Sequence, residues 1–146
     1  MKIRLIWVGK TKEQFVIEGI GKYLKMLKPY AAVSIEETRE EKVKDIQRKL
    51  EREGERILKL HTPYVLLDEK GKMLTSRQFA EFISSEGQEI SFVVGGAYGV
   101  SEDVREAARS TVALSKMTFT HDMARLFLVE QLYRSFAIVN KRGYHH

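Results

Sequence analysis

The chain has no cysteine and only two prolines, Pro29 and Pro63, among its 146 residues. Without a thiol there is no disulfide framework, no thiolate-bound zinc or iron–sulfur centre and no cysteine nucleophile. No apolar run reaches the roughly 18 residues of a membrane span. The N-terminus carries Lys2 and Arg4 inside a short apolar stretch, and it lacks the long apolar region and small-residue cleavage site of a signal peptide. Three of the four histidines, His121, His145 and His146, fall near the end, none paired at i, i+4 and none with carboxylates at ligand spacing. No metal is therefore expected. What remains is a cytoplasmic protein of 43% hydrophobic and 31% charged residues. With neither repeat nor Pro/Gly-rich linker, residues 1–146 read as a single domain.

The net charge of +5 has a location. Residues 1–35 hold Lys2, Arg4, Lys10, Lys12, Lys22, Lys25 and Lys28 against Glu13 and Glu18, while the remainder balances at 18 basic and 18 acidic residues. Such asymmetry suits a face that meets a polyanion. It suits a solvated, lysine-rich helix face equally well.

Short β-branched runs alternate with longer amphipathic ones. Lys2–Val8, Ala31–Glu36, Tyr64–Asp68, Ile90–Val94 and Val112–Leu114 read as strands. Helices are expected over Lys12–Leu27, Glu40–Leu60, Ser76–Ser84, from an N-cap at Ser101 to Ala108, and over His121–Asn140. Gly54 falls on the apolar stripe of the second helix and predicts a close approach of a neighbour. The alternation implies an α/β fold with a largely parallel sheet. The last helix, with Met123, Leu126, Phe127, Leu128, Val129, Leu132, Tyr133, Phe136, Ala137, Ile138 and Val139, is apolar almost all round. One sheet face covers such a helix incompletely, so a homodimer through this helix is expected; the alternative is a central helix covered by its own chain.

Among possible chemical motifs, Gly9-Lys10-Thr11 is not a P-loop, because Arg4 stands where that loop needs its first glycine. Gly95-Gly96-Ala97-Tyr98-Gly99 follows a buried strand, where α/β sheets place ligands. It is not the dinucleotide fingerprint, and Glu102 and Asp103 in the next helix turn would repel a pyrophosphate. A ligand without phosphate fits that loop, as does a simple tight turn. His121 enters the last helix, where the dipole favours a neutral imidazole, suited either to a base or to a cap. The tail Lys141-Arg142-Gly143-Tyr144-His145-His146 reads as a base-stacking, phosphate-neutralising segment or as a frayed end. No serine sits in a G-x-S-x-G context.

In order, Ile6–Lys10 (IWVGK), Leu67-Asp68 with Gly71-Lys72, Phe92–Gly99 (FVVGGAYG), Leu114–His121 (LSKMTFTH), Glu130–Arg134 (EQLYR) and Tyr144-His145 make a set that spans the chain. That set resembles the SPOUT class of RNA methyltransferases, and within it the small family that methylates N3 of a pseudouridine in helix 69 of 23S ribosomal RNA. The resemblance implies a C-terminal deep trefoil knot, an obligate dimer and S-adenosylmethionine bound by the knot loops. By the family pattern Leu67, Gly95, Leu114, Ser115, Lys116, Met117, Thr118 and Phe119 line the cofactor pocket. A sulfonium cofactor carries no phosphate, which agrees with Glu102 and Asp103. Thr120 stands where the pattern usually has proline, and His146 where a lysine or arginine commonly follows Tyr-His. Within that reading His145, or else His121, takes the imide proton. Arg125 and Arg134 bind phosphate or the imide anion, and Tyr144 stacks on the base. The tail of one protomer completes the pocket of its partner. The rival classes are a non-catalytic RNA- or ribosome-binding module and a nucleotide-dependent oxidoreductase. The missing G-x-G-x-x-G weighs against the oxidoreductase, and the ordered loop motifs weigh against the module.

Overall fold

In the computed structural model, which describes residues 1–146, strand and helix alternate throughout. Strands β1 (Lys2–Val8), β2 (Ala32–Thr38), β3 (Val65–Met73), β4 (Glu89–Val94) and β5 (Ser110–Ala113) form one sheet in the order β2-β1-β4-β3-β5. Every neighbouring pair is parallel, as the continuous apolar strands predict. Five helices, α1 (Gln14–Leu27), α2 (Ile46–Leu58), α3 (Ser76–Ser85), α4 (Glu102–Ala107) and α5 (His121–Val139), connect and cover it. None is long and apolar enough to cross a membrane.

The period of two along each strand divides the core. Ile3, Leu5 and Trp7 of β1 and Phe92 and Val94 of β4 meet Val16, Ile20, Phe79, Leu128 and Leu132 from α1, α3 and α5. Ile6, Val8, Leu66 and Val93 face the other way, onto Ile57 of α2 and Val104 of α4. Burying each such Leu, Ile or Phe contributes about 1.5–3 kcal/mol. Gly54 lies where expected: a Cβ there would stand 2.5 Å from Ser101 Oγ, so α2 and α4 touch through that gap.

Local chemistry sets the helix starts. Thr75 and Gln78 form a reciprocal capping box for α3, Ser101 caps α4 and Thr120 caps α5. Most boundaries fall within about two residues of the sequence reading, and two elements differ by more. The second helix begins at Ile46 and not Glu40, because Asp45 is its cap and the preceding segment is irregular and tied down by side chains. There the buried Glu53 carboxylate accepts from Glu41 N at 3.0 Å, and Lys49 donates to Glu40 at 3.2 Å. Strand β3 continues past Asp68 to Met73 through an irregularity between Leu67 and Lys72. Gly71 permits it: a Cβ would lie 2.7 Å from the backbone of Thr111 and Val112.

Helix α5 fills the groove between α1 and α3. Leu128, Val129 and Leu132 are fully buried against the sheet. Tyr133 packs with Tyr23 and Tyr30, Phe136 stacks on Tyr30, and Ser76 donates to Gln131 at 2.7 Å. The helix's own chain therefore covers most of it, the alternative that its composition left open. Its remaining exposed apolar side chains are Phe127, in contact with Phe119 at 4.9 Å between ring centroids, and Val139.

Candidate functional site

Strands β3 and β4 lie side by side, but their chains leave to opposite faces, β3 toward α3 and β4 toward α4. Such divergence opens a crevice at the carboxyl ends of a parallel sheet. A cleft of about 770 Å³ occupies it, walled by the β3 irregularity, the glycine loop after β4 and the loop between β5 and α5. The glycine loop folds back on itself, with Gly96 and Gly99 bridged. A Cβ on Gly95 would stand 2.7 Å from Gly99 O, so only glycine fits there.

Leu67, Gly95, Leu114, Ser115, Met117, Thr118 and Phe119 all line this cleft, and His121 borders it. Lys116 is exposed and outside the lining. Asp68, Glu69 and Arg105 also line it, and sequence reasoning did not single them out as ligand-facing. Arg105 pairs with Asp68 at 2.9 Å, and Thr118 Oγ1 donates to Glu69 Oε2 at 2.7 Å, tying the β5–α5 loop across the cleft to β3. Gly71 marks the irregularity of β3 in the structure, but the strand expected from sequence ended at Asp68 and so gave no such signal.

The cleft suits a ligand of mixed character without phosphate. Its walls combine apolar Leu67, Leu114, Met117 and Phe119 with backbone polar groups and carboxylates. Glu102 and Asp103 stand exposed at the start of α4, so this loop offers no charge complement to a pyrophosphate. An adenosyl group joined to a zwitterionic, sulfonium-bearing amino acid matches such a donor set.

Burial, reinforced by the Arg125 guanidinium, holds the His121 imidazole below its ordinary pKa; Asp122 opposes this. The direction is the one the sequence predicts, and its leading cause is burial. Arg125 itself is fully buried. Its Nη2 donates to Val8 O at 2.6 Å, its Nη1 to Thr11 Oγ1 at 3.0 Å, and its guanidinium lies 5.0 Å from the Trp7 ring centre. One helical turn past His121 is the inward stripe of α5, so Arg125 secures the end of β1 and does not face the cleft.

Tyr144 and His145 lie far from the cleft of their own chain. Tyr144 OH reaches Tyr23 OH at 3.0 Å and Glu130 at 3.1 Å, and His145 Nδ1 meets Arg134 Nη1 at 3.0 Å. Arg134 is held by Glu130 at 2.5 Å and lies over the Tyr144 ring at 4.7 Å. Burial, with the bonds to Tyr23 and Glu130, pushes the Tyr144 hydroxyl well above its ordinary pKa and keeps it protonated. Arg134 is 13 residues along α5 from His121, roughly 20 Å at 1.5 Å per residue. The tail is therefore an ordered arm beside exposed Lys22 and Lys25 of α1, at the opposite end of α5 from the cleft.

Comparison with known proteins identifies the family and the fold. A relative from Geotalea daltonii, named ribosomal RNA large subunit methyltransferase H, is 45% identical and the alignment covers all of both chains. A relative of the same name from Geotalea uraniireducens is 46% identical, again over all of both chains. In three dimensions a protein from Haemophilus influenzae Rd KW20, described as a probable methylase family protein, superposes with a TM-score of 0.57 at 13% identity, covering 99% of this chain and 70% of that one. The family described as predicted SPOUT methyltransferase matches residues 1–145. With its cleft at the diverging strand ends and full-length relatives of one name, the chain belongs to the SPOUT methyltransferase family.

Proposed function

We propose that this protein transfers the methyl group of S-adenosylmethionine to N3 of a pseudouridine in helix 69 of 23S ribosomal RNA, within the ribosome and hence in the cytoplasm. The observation that carries the reading is full-length identity of 45–46% to enzymes named for large-subunit rRNA methylation, on a chain whose own cleft fits a phosphate-free cofactor. When bound, that cofactor supplies an electrophilic methyl on a sulfonium and departs as S-adenosylhomocysteine. The chain's own residues position, exclude water and take a proton. Leu67, Gly95, Leu114, Ser115, Met117, Thr118 and Phe119 hold the cofactor, with Lys116 on the outer side of the same loop. Most of the rate comes from fixing the nucleophile in line. The N3 proton passes to His145 or His121, and Tyr144 stacks on the base. Arg134, oriented by Glu130, meets phosphate or the imide anion. Arg125 holds the end of β1 beneath the site.

The distance between cleft and tail within one chain supports a homodimer in which the tail of one protomer closes the cleft of its partner. Exposed Phe127 and Phe119 supply an apolar contact for it. The return of α5 over β4, after β5 has added to the outer edge beyond β3, supports a threaded C-terminal segment, the trefoil knot. Labelled S-adenosylmethionine and ribosomes from cells lacking this enzyme provide the test. One labelled pseudouridine per ribosome is expected, and deleting Gly143–His146 is expected to abolish transfer while leaving cofactor affinity within about twofold. Mixing tail-deleted protomers with Gly95→Ala protomers is expected to restore activity, because one composite site in each mixed dimer is intact. Absence of any transfer to ribosomes, together with no binding of S-adenosylmethionine or S-adenosylhomocysteine, would overturn the reading in favour of a non-catalytic RNA-binding module.

A further inference from the structure

Asp122 is a buried carboxylate to which the catalytic reading gives no role. It is 4% exposed and sits between His121 at the cleft and Arg125 beneath β1. Its Oδ2 accepts from Lys12 N at 3.0 Å and Glu13 N at 2.8 Å, both in the loop joining β1 to α1. Its Oδ1 is buried with no hydrogen-bond partner. The nearest cationic groups are His121 Nε2 at 3.6 Å and Arg125 Nη1 at 4.0 Å, neither within bonding distance. Helix α5 does not need Asp122 for its own start, since Thr120 already accepts from Met123 N. A buried acceptor left unmade is costly, so the free oxygen calls for a reason.

We propose that Asp122 is a positioning residue of the methyl-transfer site: Oδ2 pins the Lys12–Glu13 turn, and Oδ1 is the acceptor reserved for the His121 imidazole. The inference rests on the function proposed above. The pinned loop carries exposed Lys10 and Lys12, part of the basic first quarter, and Asp122 ties it to the end of the cofactor loop. A rotation of the His121 ring of less than about 1 Å at Nε2 closes the bond to Oδ1, on the scale of ordinary hydrogen-bond lengths. The charged groups that face His121 are Arg125 and Asp122 on α5, Lys12 on the β1–α1 loop and Glu40 on the segment before α2. Two repel a proton on the ring and two attract it, and Asp122 is the larger of the attractive pair. The bond to Oδ1 fixes the orientation of the His121 imidazole at the border of the cleft.

The test uses the full chain, with and without S-adenosylhomocysteine. Asp122→Asn keeps an oxygen for the two loop amides and places an NH2 where the free oxygen stood; Asp122→Ala removes both. In Asp122→Asn the His121 ring resonances are expected to titrate at lower pH than in the parent. The loop amides should keep their hydrogen-exchange protection, and kcat should fall with KM for ribosomes little changed. In Asp122→Ala exchange at Lys12 and Glu13 should rise roughly tenfold, as for loss of a cap, and KM should rise as well. An unmoved His121 midpoint in Asp122→Asn, or unaltered loop exchange in Asp122→Ala, overturns the proposal. Should Asp122→Ala not fold, Asp122→Asn still decides. Both readouts are independent of methyl transfer, so a parent without activity sinks the function and leaves this test standing.

Discussion

At the scale of single residues, glycine and histidine set the sharpest expectations. Gly95→Ala drives a methyl against Gly99 O, and Gly71→Ala drives one against the Thr111–Val112 backbone; neither neighbour can rotate away. Each is expected to cost about 1–3 kcal/mol in urea unfolding and to weaken S-adenosylhomocysteine binding measured by calorimetry. Gly21, in the middle of α1 with nothing near its missing Cβ, is the contrast: Gly21→Ala is expected to stabilise by about 0.5–1 kcal/mol. His121 sets a pH dependence. Its pKa is lower folded than unfolded, because burial and Arg125 disfavour the charged ring. The unfolded chain therefore binds the proton first, so the contribution is full above the ordinary value of 6.5 and is lost as pH falls through the folded value. Unfolding curves across that range are expected to show the parent losing stability relative to His121→Asn below pH 6.5. A constant difference would contradict the assignment.

At the scale of elements, the legibility of the sequence followed the reach of the forces involved. β1 matches its run Lys2–Val8 residue for residue, because alternating apolar residues and a buried Trp7 leave one solution. α3 and α5 begin where their caps lie, at Thr75 and Thr120, since a cap is a contact within four residues. The start of α2 was not legible. Glu40 and Glu41 look helical in sequence, and only the folded chain brings Glu53, Lys49 and Arg56 to them. The tail belongs to the same class. Its docking depends on Glu130, which meets Tyr144 and Arg134 at once. Glu130→Ala is expected to free the arm, speed tryptic cleavage after Lys141 and Arg142, and depress methyl transfer with cofactor affinity unchanged. Cleavage at the parent rate would show that the arm is held by other contacts.

At the scale of the whole molecule, charge and apolar surface divide the work. Arg4 is paired with Glu36, so the basic excess that reaches solvent is carried by the lysines, chiefly Lys22, Lys25 and Lys28 along α1 and Lys10 and Lys12 near the cleft. Replacing Lys22, Lys25 and Lys28 by Glu is expected to weaken ribosome binding at least about tenfold and to flatten its dependence on salt, by about 0.7–0.9 in the log–log slope for each phosphate no longer neutralised. Equal binding at every salt concentration would return that face to a role in solubility. Phe127→Glu is expected to shift sedimentation from dimer to monomer and to abolish activity, with the cofactor still bound.

By itself the sequence determined the strand and helix alternation, the parallel sheet and the glycine loop, because hydrophobic period, caps and turn residues act over a few positions; Leu114–Phe119 stood out as a cofactor loop only through the family resemblance. The tertiary structure decided what depends on positions far apart in the chain. It buried Arg125 under β1, set Tyr144 and His145 at the far end of α5 from their own cleft, turned Asp68 and Glu69 into that cleft, and left one oxygen of Asp122 without a partner. Each of these follows from which surfaces meet when α5 packs between α1 and α3, and no local pattern records that packing.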